Sequence, residues 1–109
     1  MNAHLQQRVT GLLQQYKRAT LATCGAAGSQ ISLVTYSVSG LHLHLALAHG
    51  SDHLFNLESE PRLALLTSGW RLHGTGRTAQ DTPYQPTVIV TVTRLHILNG
   101  QHILETIDF

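Results

Sequence analysis

The sequence predicts a small, mainly β domain: an antiparallel barrel of six to seven strands with an N-terminal helix and one short internal helix. Three observations lead there. Leu41, Leu43, Leu45 and Leu47 alternate with His42, His44, Ala46 and Ala48, and a period of two puts all four leucines on one sheet face. Residues 88–92 form a β-branched run that carries on through Leu95, Ile97 and Leu98, the mark of a strand covered on both sides. Finally, the short strands are joined by hairpin turns, with two helices and no long parallel crossover, and closure is how such a set of strands hides its edges.

The elements follow in order. Over residues 2–18 the apolar positions Leu5, Val9, Leu12, Leu13 and Tyr16 keep helical steps. Lys17 and Arg18 suit the C-terminal end of that helix, where cations meet the helix dipole favourably. Residues 20–23 make a short strand, and Gly25-Ala26-Ala27-Gly28 reverses it into residues 30–38, which are rich in β-branched side chains and include Tyr36. Ser39-Gly40 then turns the chain into the leucine strand.

His49-Gly50 ends that strand, and Ser51 stands where an N-cap would stand. The helix it opens is short. Leu54 and Leu57 give it an apolar stripe with Phe55 at its edge, and Pro61 stops it because the ring removes a donor. Residues 63–66 and 70–79 are strands, the second with Leu72 opposite Arg71 and His73. Gly74 and Gly76 within it invite a bulge or a close backbone approach. Residues 81–86 read as a loop. Asn99-Gly100 reads as a type I′ turn that returns residues 101–107 as an antiparallel strand.

At 109 residues the chain is read as one domain, residues 1–109. Charged residues make up 12% of it, against about 25% in typical soluble domains, which points to surface hidden between subunits. The formal net charge of +1 is too small for a nucleic-acid footprint. No apolar run approaches the ~20 residues of a membrane span and no signal-peptide core opens the chain, so a cytoplasmic protein with no membrane partner is expected. The single Cys24 has no disulfide partner and reads as a small buried residue ending a strand. His42 and His44 share a strand face at chelating distance but lack a third ligand, so no metal site is predicted.

An amphipathic helix, ATLAT at residues 19–23, a glycine turn, a strand ending in Tyr36, a hairpin and then GS–x–x–L–x–NL–x–x–x–PRLALL over residues 50–66 occur in one order. That order resembles the pyridoxamine 5′-phosphate oxidase-like FMN-binding split barrels, and the closing ETIDF at residues 105–109 is similar to chain ends of small members. The resemblance covers most of the chain and implies a homodimer with FMN in clefts between the subunits. It sets Ser32, Val34, Thr35 and Tyr36 beside the flavin ring, and Ala48, His49, Gly50, Ser51 and His53 around the phosphate. Trp70 and Arg71 would come from the partner subunit, Trp70 filling the seam or stacking on flavin. Where many members read Ser-Arg-Lys, this chain reads Ser51-Asp52-His53, and Asp52 opposes a phosphate at that helix start.

The resemblance implies an FMN-binding flavoprotein of oxidoreductase type with no assigned substrate. Two alternatives stand beside it. Some split-barrel relatives bind haem, and eight histidines supply ligand candidates in His49, His53 and His102. The third is a cofactor-free dimeric barrel that has lost the phosphate clamp. No nucleophile or acid/base pair is visible, so no catalytic residue is assigned.

Overall fold

The computed structural model describes residues 2–79 and 85–109. Helix α1 (Ala3–Leu13) starts at Asn2, whose side chain accepts from the Leu5 N–H at 2.8 Å, and it buries Val9 and Leu13. It is shorter than the helical period over residues 2–18 predicts. Arg18 pairs with Thr35, and the Lys17 carbonyl accepts from the Tyr36 N–H at 3.0 Å. Strand pairing therefore claims the end of the predicted helix, and Lys17 and Arg18 do not sit on its dipole.

Seven strands follow: β1 (Arg18–Gly25), β2 (Gly28–Ser39), β3 (His42–Ala46), β4 (Arg62–Leu66), β5 (Trp70–Ala79), β6 (Thr87–Asn99) and β7 (His102–Asp108), with α2 (Asp52–Ser59) between β3 and β4. All pairings are antiparallel in the order β3-β2-β1-β4-β5-β6-β7, and a further β3–β6 pairing closes the first six into a barrel. β7 continues the sheet along the second half of β6. Two-fold alternation aims Leu21, Leu43, Leu45, Leu65, Leu72 and Val90 inward, each fully buried. The loop predicted over residues 81–86 falls largely outside the described residues. No described helix is long and apolar enough to cross a membrane.

The two-residue loops carry the topology. Gly40 (φ 61°) and Gly100 (φ 60°) each take the first central position, and among the described residues no other residue type has positive φ. That is the glycine position of a type II′ turn rather than the predicted type I′, and Asn99 is instead the last residue of β6. Gly74 lies where β5 presses on β6: a Cβ there would fall 2.4 Å from the Thr91 carbonyl oxygen. The register shifts beside it, where Thr93 of β6 is left as an extra residue between the pairs His73↔Arg94 and Gly74↔Val92. This bulge changes the parity of β6, so that Val92 and Leu95 both face inward and Arg94 and His96 face out.

Trp70 occupies one barrel end. Its ring is fully buried, stands edge-on to Tyr16 and Tyr36 at 6.5 and 6.0 Å, and donates from Nε1 to the Leu12 carbonyl at 3.2 Å. Tyr36 joins it there and donates its hydroxyl to the Leu13 carbonyl at 2.5 Å. Burial, reinforced by Tyr16, pushes the Tyr36 phenol up to about 12.

Candidate functional site

The outer face of the sheet carries two rows of side chains that run from apolar to cationic. Cross-strand register builds the first from Leu33, Thr20, Leu66, Arg71 and His96, and the second from Ile31, Ala22, Ala64, His73 and Arg94. Ile31 is 73% exposed, Leu33 61% and Leu66 47%. With strands about 4.8 Å apart, the mainly apolar part across β2, β1 and β4 spans about 10 Å, broken in the first row by Thr20. A groove of about 790 Å³ runs over it, with Ala22, Cys24, Ile31, Ala64 and His73 in its walls. The volume falls in the range of ligand sites.

At the β5–β6 end the rows become basic. His73 and His96 stand edge-on with centroids 5.6 Å apart, and a smaller groove of about 330 Å³ is lined by His73, Thr93, Arg94, His96 and Asp108. Arg94 pairs with Asp108 at 2.5 Å, and Thr106 Oγ1 engages His96 Nδ1 at 2.8 Å. Arg71 has no such partner. Its Nε is the one buried side-chain nitrogen or oxygen among the described residues that makes no hydrogen bond. Partial burial, then Arg71, His73 and Arg94, push the His96 imidazole below its ordinary value, with Asp108 alone opposing.

A second polar cluster lies under α2. His53 is 4% exposed, its Nδ1 is 2.7 Å from Thr23 Oγ1 and its Nε2 is 2.6 Å from Ser32 Oγ. Asn56 is fully buried: its Nδ2 donates to Thr23 Oγ1 at 3.1 Å and to the Gly28 carbonyl at 2.7 Å, while its Oδ1 accepts from the Ala27 N–H at 2.7 Å. One proton arrangement satisfies the whole chain: Asn56 donates to Thr23, Thr23 to His53 Nδ1, and His53 Nε2–H to Ser32. Burial holds the His53 imidazole below its ordinary value despite the pull of Asp52. The ring is neutral.

No family model matches the chain, and no curated protein does. Solved structures match it closely in shape. General stress protein 26 from Bacillus anthracis str. Sterne superposes with a TM-score of 0.80 at 12% identity, covering 97% of this chain and 99% of that one. A putative pyridoxamine 5′-phosphate oxidase from Listeria innocua gives 0.74 at 14% identity, over 88% and 99%. The chain folds as a pyridoxamine 5′-phosphate oxidase-like split barrel. HutZ of Vibrio cholerae, a haem storage protein, shares the split-barrel shape with a TM-score of 0.66 at 12% identity, over 85% and 94%.

Within this split barrel the residues assigned by resemblance separate into four places. Val34, Tyr36 and Trp70 point into the core, and Trp70 is fully buried there within the single chain. Thr35 and Arg71 lie on the outer face. Ala48, His49 and Gly50 form an exposed loop, and Ser51 caps α2 by accepting from the His53 N–H at 3.2 Å. Ser32 and His53 belong to the α2 cluster. Ile31, Leu33, His73, Arg94 and His96 were missed: β2 is apolar on both faces, so alternation alone does not say which face meets a ligand. Cys24 is exposed rather than buried, because it shares the outward parity of Thr20 and Ala22. Among the described residues no group of three His, Cys, Asp or Glu is placed to hold a metal.

Proposed function

We infer that the chain is one protomer of a homodimer that binds a flat, anionic redox cofactor, FMN first, on the outer face of β2, β1 and β4. The observation that carries this is the pair of rows running from exposed Ile31 and Leu33 to Arg71 and His73. An aromatic ring system covers the apolar part, and the cations suit its acidic substituent. Bound FMN would supply the electron or hydride transfer, and the protein would supply position, electrostatics and exclusion of water. A second copy completes the cleft, since one chain offers a floor without a roof.

The phosphate position at the Ser51 helix fits poorly. His53 is turned inward onto Thr23 and Ser32, and Asp52 is the only charged side chain in the first turn. Haem is the second reading, favoured by two imidazoles at the edge of the apolar rows and by haem-binding proteins among the structural neighbours. The absorption spectrum of protein purified without added ligand decides between them: flavin bands support the first and a Soret band the second. A colourless protein that binds neither on titration leaves the cofactor-free barrel. Light scattering tests the dimer, and Leu33→Glu should give monomers that no longer retain the cofactor.

A further inference from the structure

The β5–β6 cluster combines features that a solvated basic surface lacks. Arg71, His73, Arg94 and His96 reach the same face from two strands, and the Thr93 bulge is what turns Arg94 and His96 towards the β5 pair. Among the described side chains only one carboxylate, that of Asp108, lines their groove. Asp108 is engaged with Arg94, so the charge of Arg71 is uncompensated among the described residues. A buried guanidinium N–H without an acceptor is destabilised, and such groups in native proteins usually face an ion or water. His96 Nε2 has no partner among the described residues, since Thr106 takes Nδ1.

We propose that Arg71, His73, Arg94 and His96 form a binding site for a tetrahedral dianion of the phosphate-monoester class. The donors belong to four side chains on two adjacent strands, enough to serve the spread oxygens of a phosphate, whereas a planar carboxylate would be satisfied by the Arg71 fork alone. The groups facing His96 agree. Arg71 and His73 on β5 and Arg94 on its own strand disfavour its protonation, with Asp108 of β7 opposed, and a bound dianion would reverse that balance. The site lies within one chain and deepens the cofactor reading on which it rests, since Arg71 and His73 also form the cationic end of the apolar rows.

The test uses the full chain and follows the ring C–H signals of the histidines by NMR. Inorganic phosphate should shift the ring signals of His73 and His96 saturably, leave those of His42 and His102 in place, and move the titration midpoint of His96 upward. Acetate at equal ionic strength should not. Arg71→Gln should weaken phosphate binding roughly tenfold to a hundredfold, the scale of a charge-assisted hydrogen bond, and Arg71→Lys should recover part of it. Absence of saturation in the unmodified protein, or equal shifts with acetate, overturns the proposal even if the variants fail to fold.

FMN and riboflavin separate the sources of the phosphate. Tighter binding of FMN, lost in Arg71→Gln, makes the site the cofactor's phosphate end. If phosphate binds while FMN and riboflavin bind alike or not at all, the site stands and serves a separate phosphorylated ligand.

Discussion

Two histidine-bearing clusters in this barrel differ in one respect. Under α2, the groups of Thr23, Ser32, His53 and Asn56 are matched to one another and to the Ala27–Gly28 backbone. On the β5–β6 face, Arg71 Nε is left without an acceptor. A closed network spends its hydrogen-bonding capacity on the fold, pinning α2 to the β1–β2 hairpin, and has little left for a ligand. An open one retains capacity. The comparison therefore favours a structural role for His53, which the resemblance sets near the phosphate, and for Ser32, which it sets beside the flavin, and it is the ground for proposing binding at the cluster that holds Arg71.

The largest effect should follow from opening the closed network. Asn56→Leu leaves Thr23 Oγ1 short of a partner in a buried place and the Ala27 N–H and Gly28 carbonyl short of one in a partly buried place, at a cost of about 3 kcal/mol. Urea denaturation measures it. A loss below about 1 kcal/mol would mean that water enters and the network is not closed. Next comes Gly74→Ala, which drives a Cβ against the Thr91 carbonyl beside the bulge and should cost about 2 kcal/mol through backbone displacement. This variant also sharpens the comparison. It should alter the His73 and His96 ring signals while leaving those of His53 unchanged.

The barrel itself was legible because its signals are local. Period-two leucines in β3, the β-branched run in β6 and the glycines at Gly40 and Gly100 report on neighbouring residues. The binding face was legible only in part. Arg71 and His96 are brought opposite each other by pairing between distant segments, and their common face depends on a one-residue bulge that Gly74 on the facing strand invites but that nothing in the Val92-Thr93-Arg94 sequence places at Thr93. His53 was legible only in part for a related reason. Its place near a helix start suggests an anion ligand, whereas its burial is decided by how α2 packs over Thr23.

A smaller effect separates the clusters by pH. His53 has a folded-state pKa below its ordinary value, chiefly through burial, so the unfolded chain binds the proton more readily. Its contribution to stability is complete above about pH 6.5, the unfolded value, and is lost as pH falls from there through the lowered folded value. Thermal unfolding midpoints should accordingly decline below pH 6.5, and His53→Gln should flatten that part of the profile while lowering the plateau above it. An unchanged slope would show that the imidazole already protonates in the folded state at its ordinary pKa.

The smallest effect on stability is predicted for the side chain expected to matter most for binding. Arg71→Gln removes a charge and an orphaned N–H, and among the described residues breaks no ion pair and no hydrogen bond. Removing one member of a satisfied buried network leaves its partners stranded; removing a group that had no partner strands nothing. Without added phosphate, the variant should therefore unfold within about 0.5 kcal/mol of the parent, the range of ordinary surface substitutions, or be slightly more stable. Added phosphate should widen the gap, because a ligand that binds only the folded parent stabilises it by mass action. Denaturation of both proteins with and without phosphate reads the two terms separately. A large loss without phosphate would give Arg71 a structural partner and place it with Asn56. Equal stabilisation of both proteins by phosphate would remove Arg71 from the anion site.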